Sequence, residues 1–247
     1  MSGHSKWSSI KHKKGIADAK RGQKFTKLIK EITVATKVGG PEPETNATLR
    51  TAILKAKAEN MPKDNIDRAI KKGMGDADTS TYYELTYEGY APNGIAIIVD
   101  TLTDNKNRTA ADVRSTLSKM GGSLGTTGCV SYMFQTKGVI TYLEEKYSED
   151  EIFEAALNLG AEGVETIDGI IEVTTIPSDF STVLEGMQNA GFEQDSADVN
   201  RLADLMVALD KEKAAKVMKI VDRLEELEDV QQVSTNLELP DDYEEEE

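Results

Sequence analysis

Apolar residues in the first third of the chain recur at helical spacing. Phe25, Leu28, Ile29 and Ile32 fall at i, i+3, i+4 and i+7 and predict an amphipathic helix, which Gly39-Gly40-Pro41 ends. Leu49, Ala52, Ile53 and Ala56 repeat the spacing in a second helix. A third opens at Pro62, a residue suited to a first helical position, buries Ile66, Ala69 and Ile70, and stops at Gly73. The stretch GMGDADTST (73–81) then reads as a linker.

From Tyr82 onward the pattern becomes that of strands. Glu84 to Tyr90 and Ile95 to Thr101 predict a hairpin about a Pro92-Asn93-Gly94 turn. Thr109-Ala-Ala-Asp112 reads as a capping box, with Val113, Leu117 and Met120 on one helix face and Gly121-Gly122 closing it. Strands are expected near 129–135 and 138–143. A second capping box, Ser148 to Glu151, opens a helix that Gly160 ends. Strands near 162–167 and 170–175, a helix from Ser178 to Gly191 and a strand near 192–199 follow. Residues 138–199 thus run β-α-β-β-α-β, the order of a ferredoxin-like split βαβ unit.

A strand at 204–209, a helix from Asp210 with Val217, Ile220, Val221 and Leu224 on one face, and a strand at 230–236 supply another β-α-β. With strands 95–101 and 129–135 and helix 109–120 they complete a second split unit, interrupted by the first. The expected fold is α+β: an N-terminal helical domain plus two ferredoxin-like domains, one inserted in the other. The expected divisions are a basic flexible arm (1–24), a helical domain with linker (25–81), a discontinuous ferredoxin-like domain (82–136 plus 201–238), the inserted one (137–200) and an acidic tail (239–247).

Charge changes the picture. The net charge of −15 opposes nucleic-acid binding, but it is unevenly spread. Residues 1–75 hold 17 Lys and Arg against 7 Asp and Glu, and the remainder holds 12 against 37. Screening at physiological salt acts within about 8 Å, so the basic part keeps its own local field. In residues 1–30, nine cations face Asp18 alone: Lys6, Lys11, Lys13, Lys14, Lys20, Arg21, Lys24, Lys27 and Lys30. Such density releases counterions on meeting phosphates. Trp7 and His12 among them are placed to stack on unpaired bases, although Trp7 packing on its own domain is the alternative. Lys55, Lys57, Lys63, Arg68, Lys71 and Lys72 extend the basic patch or are ordinary helix-face charges.

Chemistry-bearing groups are sparse. The only histidines are His4 and His12, and the single cysteine, Cys129, has no neighbouring base, so nucleophilic catalysis lacks its partners. Two histidines and one remote cysteine do not make a zinc site. Gly121 to Gly128 invites a phosphate-loop reading, but its glycines follow a helix and lead into a strand, whereas a Walker loop opens a helix with Lys-Ser/Thr. No enzyme activity, catalytic residue, metal, cofactor, small-molecule substrate or disulfide is expected. No apolar run approaches the ~18 residues of a membrane span and no signal peptide is evident, so a cytoplasmic protein is expected, with no membrane partner.

Four segments, GHSKWSSIKHKKGIADAKRGQKFTKLIKEI (3–32), MPKDNIDRAIKKG (61–73), GYAPNGIAIIVDTLTDNKNRTAADVR (89–114) and GGSLGTTGCVSYMF (121–134), together resemble the YebC/PmpR family. That family includes a mitochondrial translational activator of cytochrome oxidase subunit I. With no Arg-rich presequence before MSGHSKW, the chain resembles the bacterial members. The resemblance implies the three-domain α+β fold and a regulator of gene expression. Family members are described as DNA-binding transcriptional regulators, and some as ribosome-associated translation factors that relieve stalling.

Carried over by motif, the nucleic-acid-binding residues are Lys6, Trp7, Lys11, His12, Lys13, Lys14, Lys20, Arg21 and Lys24. The loop Asn105, Lys106, Asn107 and Arg108 is a secondary contact or a helix cap. Between targets, the −25 remainder favours a translation factor on ribosomal RNA over a protein lying along DNA, since acidic surface repels a duplex. DNA-binding transcriptional regulation is the alternative, and a protein-binding scaffold stays open. A monomer is expected.

Overall fold

Three helices, α1 (Asp18–Gly39), α2 (Ala47–Ala58) and α3 (Lys63–Met74), open the computed structural model, which describes residues 18–75, 81–240 and 243. Leu28, Ile32, Leu49, Ala52, Ile53, Ile66 and Ala69 form their common core, as the apolar spacing predicts. Residues 18–24, expected in the flexible arm, are instead the first turns of α1. The rest of that arm lies outside the described residues.

Two joints hold the three helices. Buried Asn46 accepts from the Leu49 N–H at 3.1 Å and donates to the Ala35 and Gly40 carbonyls at 2.8 Å each. One side chain thereby caps the start of α2 and ties down the end of α1. Gly73 brings α3 against α1, where a Cβ would sit 2.6 Å from the Thr33 carbonyl oxygen.

The chain continues as β1 (Tyr83–Tyr90), β2 (Ala96–Thr103), α4 (Lys106–Lys119), β3 (Ser123–Leu124), β4 (Phe134–Leu143), α5 (Glu149–Asn158), β5 (Gly163–Ile167), β6 (Ile170–Thr175), α6 (Phe180–Asn189), β7 (Ser196–Ala203), β8 (Val207–Ala208), α7 (Lys211–Glu225), β9 (Val230–Thr235) and β10 (Leu237–Glu238). It divides into two units: Met1–Thr79 with Thr136–Asn200, and Ser80–Gln135 with Arg201–Glu247.

In the first unit the sheet order is β5-β6-β4-β7, the split βαβ arrangement expected from residues 138–199. Ile152, Ala156, Val183, Leu184 and Met187 from α5 and α6 cover Ile140, Tyr142, Ile171 and Val173 of the sheet. Leu54 and Ala58 of α2 belong to the same cluster, so the helical segment shares this core. The Ser148–Glu151 capping box forms as expected.

In the second unit the order is β3-β1-β2-β9. This is again a split βαβ arrangement, but its members differ from those expected. The third strand is β1, supplied from upstream and paired with β2 from Tyr83↔Thr103 to Tyr90↔Ala96. Asn93 and Gly94 turn that hairpin at φ 66° and 75°, a left-handed conformation suited to Asn and Gly. Of the expected strand 204–209 only β8 pairs, in parallel with β10. The expected strand 129–135 is a coil and a 3-10 turn (Ser131–Met133) up to Phe134, because its N–H groups serve a buried carboxylate described below. The strand expected at 192–199 begins only at Ser196, after Phe192 closes the turn behind α6 by donating to the Met187 carbonyl. Helix α4 starts one turn before Thr109, the cap that the sequence suggested. Asn105 caps it, and Thr109 is buried.

Candidate nucleic-acid interface

Lys6, Trp7, Lys11, His12, Lys13 and Lys14 lie outside the described residues. Lys20 and Arg21 stand on the first turns of α1, and Lys24, half exposed on the same helix, pairs with Glu59 at 2.5 Å. The cations of α1 are thus carried on a helix that is continuous with the helical core.

Lys55 does not extend the basic patch. Its ammonium sits 3.1 Å from Glu31 and 2.8 Å from Asp198, with 16% of its side chain exposed. Burial alone would push its pKa down, but the two carboxylates outweigh burial and hold it above the ordinary lysine value. This cation is spent inside the protein.

Helix α3 presents a different surface. Ile66, Ala69 and Gly73 face the core, so Arg68, Lys71 and Lys72 at i, i+3 and i+4 project together from the opposite side, all exposed. They make no ion pair with another described residue, although Asp64 and Asp67 stand at i+4 spacing before Arg68 and Lys71. Lys63 at the start of α3 and Lys57 near the end of α2 are exposed and likewise make no ion pair with another described residue. Five solvated cations on α2 and α3 therefore offer phosphate-binding charge without first breaking a salt bridge. The i, i+3, i+4 spacing of Arg68, Lys71 and Lys72 was legible in the sequence. Their lack of ion pairs among the described residues was not.

The segment expected as a loop at 105–108 is the N-cap and first turn of α4, and it is engaged within its own unit. Asn105 accepts from the Arg108 N–H at 3.1 Å, and the Lys106 ammonium lies 3.8 Å from the centroid of the Tyr83 ring. The Arg108 guanidinium pairs with Asp104 at 2.8 Å and with Asp229 at 2.7 Å. Asp229 is buried and also accepts from Thr103 at 3.1 Å and Thr109 at 2.9 Å. The start of α4 is thereby anchored to the turn that precedes β9.

The glycine-rich loop does cradle an anion, and that anion belongs to the protein. Buried Glu88 accepts from the N–H groups of Gly128 at 2.7 Å and of Val130 and Ser131 at 2.8 Å each. Burial would raise its pKa, yet these donors together hold it below the ordinary glutamate value. No spacing rule pointed to Glu88, which is distant from the loop in sequence. Burial, with Glu88 nearby, pushes the Cys129 thiol up, away from the reactive thiolate. Among the described residues no group of three His, Cys, Asp or Glu side chains could hold a metal ion. No described helix is long and apolar enough to cross a membrane.

Comparisons with known proteins agree over nearly the whole chain. Residues 5–76 match the family model described as the TACO1/YebC protein N-terminal domain, and residues 82–237 match the TACO1/YebC second and third domain. A "Probable transcriptional regulatory protein" of Treponema denticola is 59% identical over 99% of each chain. One of Geotalea uraniireducens is 54% identical over 97% of this chain and 96% of its own. The crystal structure of the conserved hypothetical protein Aq1575 from Aquifex aeolicus is similar at a TM-score of 0.83 and 45% identity, covering 93% of this chain and 95% of that one.

Proposed function

The chain belongs to the TACO1/YebC family, and we propose that it is a DNA-binding regulator of transcription that grips phosphates with its helical segment and performs no catalytic chemistry. The single observation that carries this reading is the set of five solvated cations on α2 and α3, Lys57, Lys63, Arg68, Lys71 and Lys72. The basic residues preceding them, from Lys6 to Lys24, add charge on the same side of the sequence. The names of the relatives, probable transcriptional regulatory proteins, favour this over the ribosome-associated role expected from the family resemblance and the acidic remainder.

An acidic remainder is compatible with duplex binding when contact is confined to one segment. Screening at physiological salt weakens repulsion from surface more than about 8 Å away. Phosphate contacts of this kind position a protein without reading sequence, so base selection calls for further contacts in a groove.

The experiment is a comparison of the full chain on duplex DNA and on single-stranded RNA, joined to a deletion strain. Duplex binding that weakens steeply with salt, and altered transcript levels with unchanged ribosome pausing, support the reading. RNA binding without duplex binding, together with new pauses at particular codons, overturns it.

A further inference from the structure

Helix α5 carries an apolar ridge where an ordinary surface helix is polar. Ile152 and Ala156 face the core and are fully buried. At about 100° per residue, Leu157 stands roughly 140° around the helix from Ile152, on the side away from the core. Phe153 and Leu157, at i and i+4, are 46% and 43% exposed. Asp150 and Glu154 share that outer face, and Glu149 precedes it; none of the three makes an ion pair with another described residue. The capping box and the helix dipole account for acids in the first turn. They do not account for Phe153, Glu154 and Leu157.

We propose that this face of α5 docks a cationic amphipathic helix of a partner protein. Charge selects that occupant. Residues 137–200 contain Lys137 and Lys146 against fifteen Asp and Glu, net −13, a field that repels both a nucleic acid and the same face of a second copy. The ridge selects the shape. Two apolar side chains one turn apart, flanked by carboxylates, complement a helix with apolar residues at i, i+3, i+4 and i+7 and lysines or arginines beside them. Phe153 and Leu157 are each already more than half buried, so covering the rest of either in such a contact is worth about three- to tenfold in affinity. The five cations of α2 and α3 play no part in this contact, so the proposal stands apart from the reading of the chain as a DNA binder.

The test is calorimetric titration of the full-length protein with an 18-residue peptide bearing leucines on one helical face and lysines on the other. A scrambled peptide of identical composition is the control. The patterned peptide should bind at least tenfold more tightly than the scrambled one. Phe153→Ser with Leu157→Ser should remove that preference while circular dichroism and melting temperature stay close to those of the parent. Asp150→Lys with Glu154→Lys should weaken the patterned peptide as well, guarding against a misfolded serine variant. Equal affinity for the two peptides, or a preference that survives both variants, overturns the proposal. So does displacement of the patterned peptide by a peptide of residues 1–17, or self-association through this face that the serine variant abolishes, because the occupant is then the chain itself.

Discussion

The Lys55 ammonium lies 2.8 Å from the Asp198 carboxylate, joining α2 to β7 inside one unit, with Glu31 of α1 completing the cluster at 3.1 Å. A buried ion pair is weak evidence of net stabilisation, but removing one partner strands the others. Lys55→Met should leave two facing carboxylates and cost about 2–3 kcal/mol, less than a fully buried pair because Asp198 keeps contact with water. Urea unfolding should show a lower midpoint with an unchanged slope. A midpoint equal to that of the parent would mean that the cluster contributes nothing.

Lys55 also marks where sequence reading stops. Periodicity places Lys55 on a helix and flags it as a surface cation, since only long-range folding reveals Asp198 beside it. Local signals fared well where the physics is local: the apolar faces of α1 to α3, the Pro92 to Gly94 turn and the Ser148 capping box all form as the spacing predicts. The second sheet was misread at two strands. Alternating apolar residues at 129–135 resemble a strand, but the Glu88 carboxylate, on β1, captures the N–H groups that a strand would use. Thr109 resembles a helix cap until Asp229 is known to lie beneath it. For the candidate site, the cations were legible as residue types, but which of them pair with another described residue was not.

Glu88 sets a pH dependence. Its folded-state pKa lies below the unfolded value, so the unfolded state binds more protons as the solution is acidified. The stabilisation is therefore fully present above the ordinary glutamate value and is lost as pH falls through the depressed folded one. Glu88→Gln replaces one acceptor by an amide that faces backbone donors and should cost about 1–3 kcal/mol at neutral pH. The difference between parent and variant, followed by chemical denaturation, should shrink on acidification. A difference that is constant with pH would contradict the role given to the carboxylate.

Arg108 separates a structural role for the first turn of α4 from a binding one. Its guanidinium is held by Asp104 and Asp229, so Arg108→Ala should lower the melting temperature by withdrawing a partner from a buried carboxylate. Duplex affinity, measured below that melting temperature, should stay the same. A loss of affinity without a loss of stability would place the first turn of α4 in the nucleic-acid interface.

The central claim is that α3 meets phosphate. The most direct measurement is the salt dependence of duplex-DNA affinity for the parent and for Arg68→Gln, Lys71→Gln, Lys72→Gln combined, substitutions on an exposed face that leave the core of Ile66, Ala69 and Gly73 untouched. Each lost phosphate contact should flatten the log–log slope by about 0.9, so the triple variant should bind more weakly with a slope shallower by about 2–3. An affinity and slope equal to those of the parent, in a variant of unchanged melting temperature, would contradict the account.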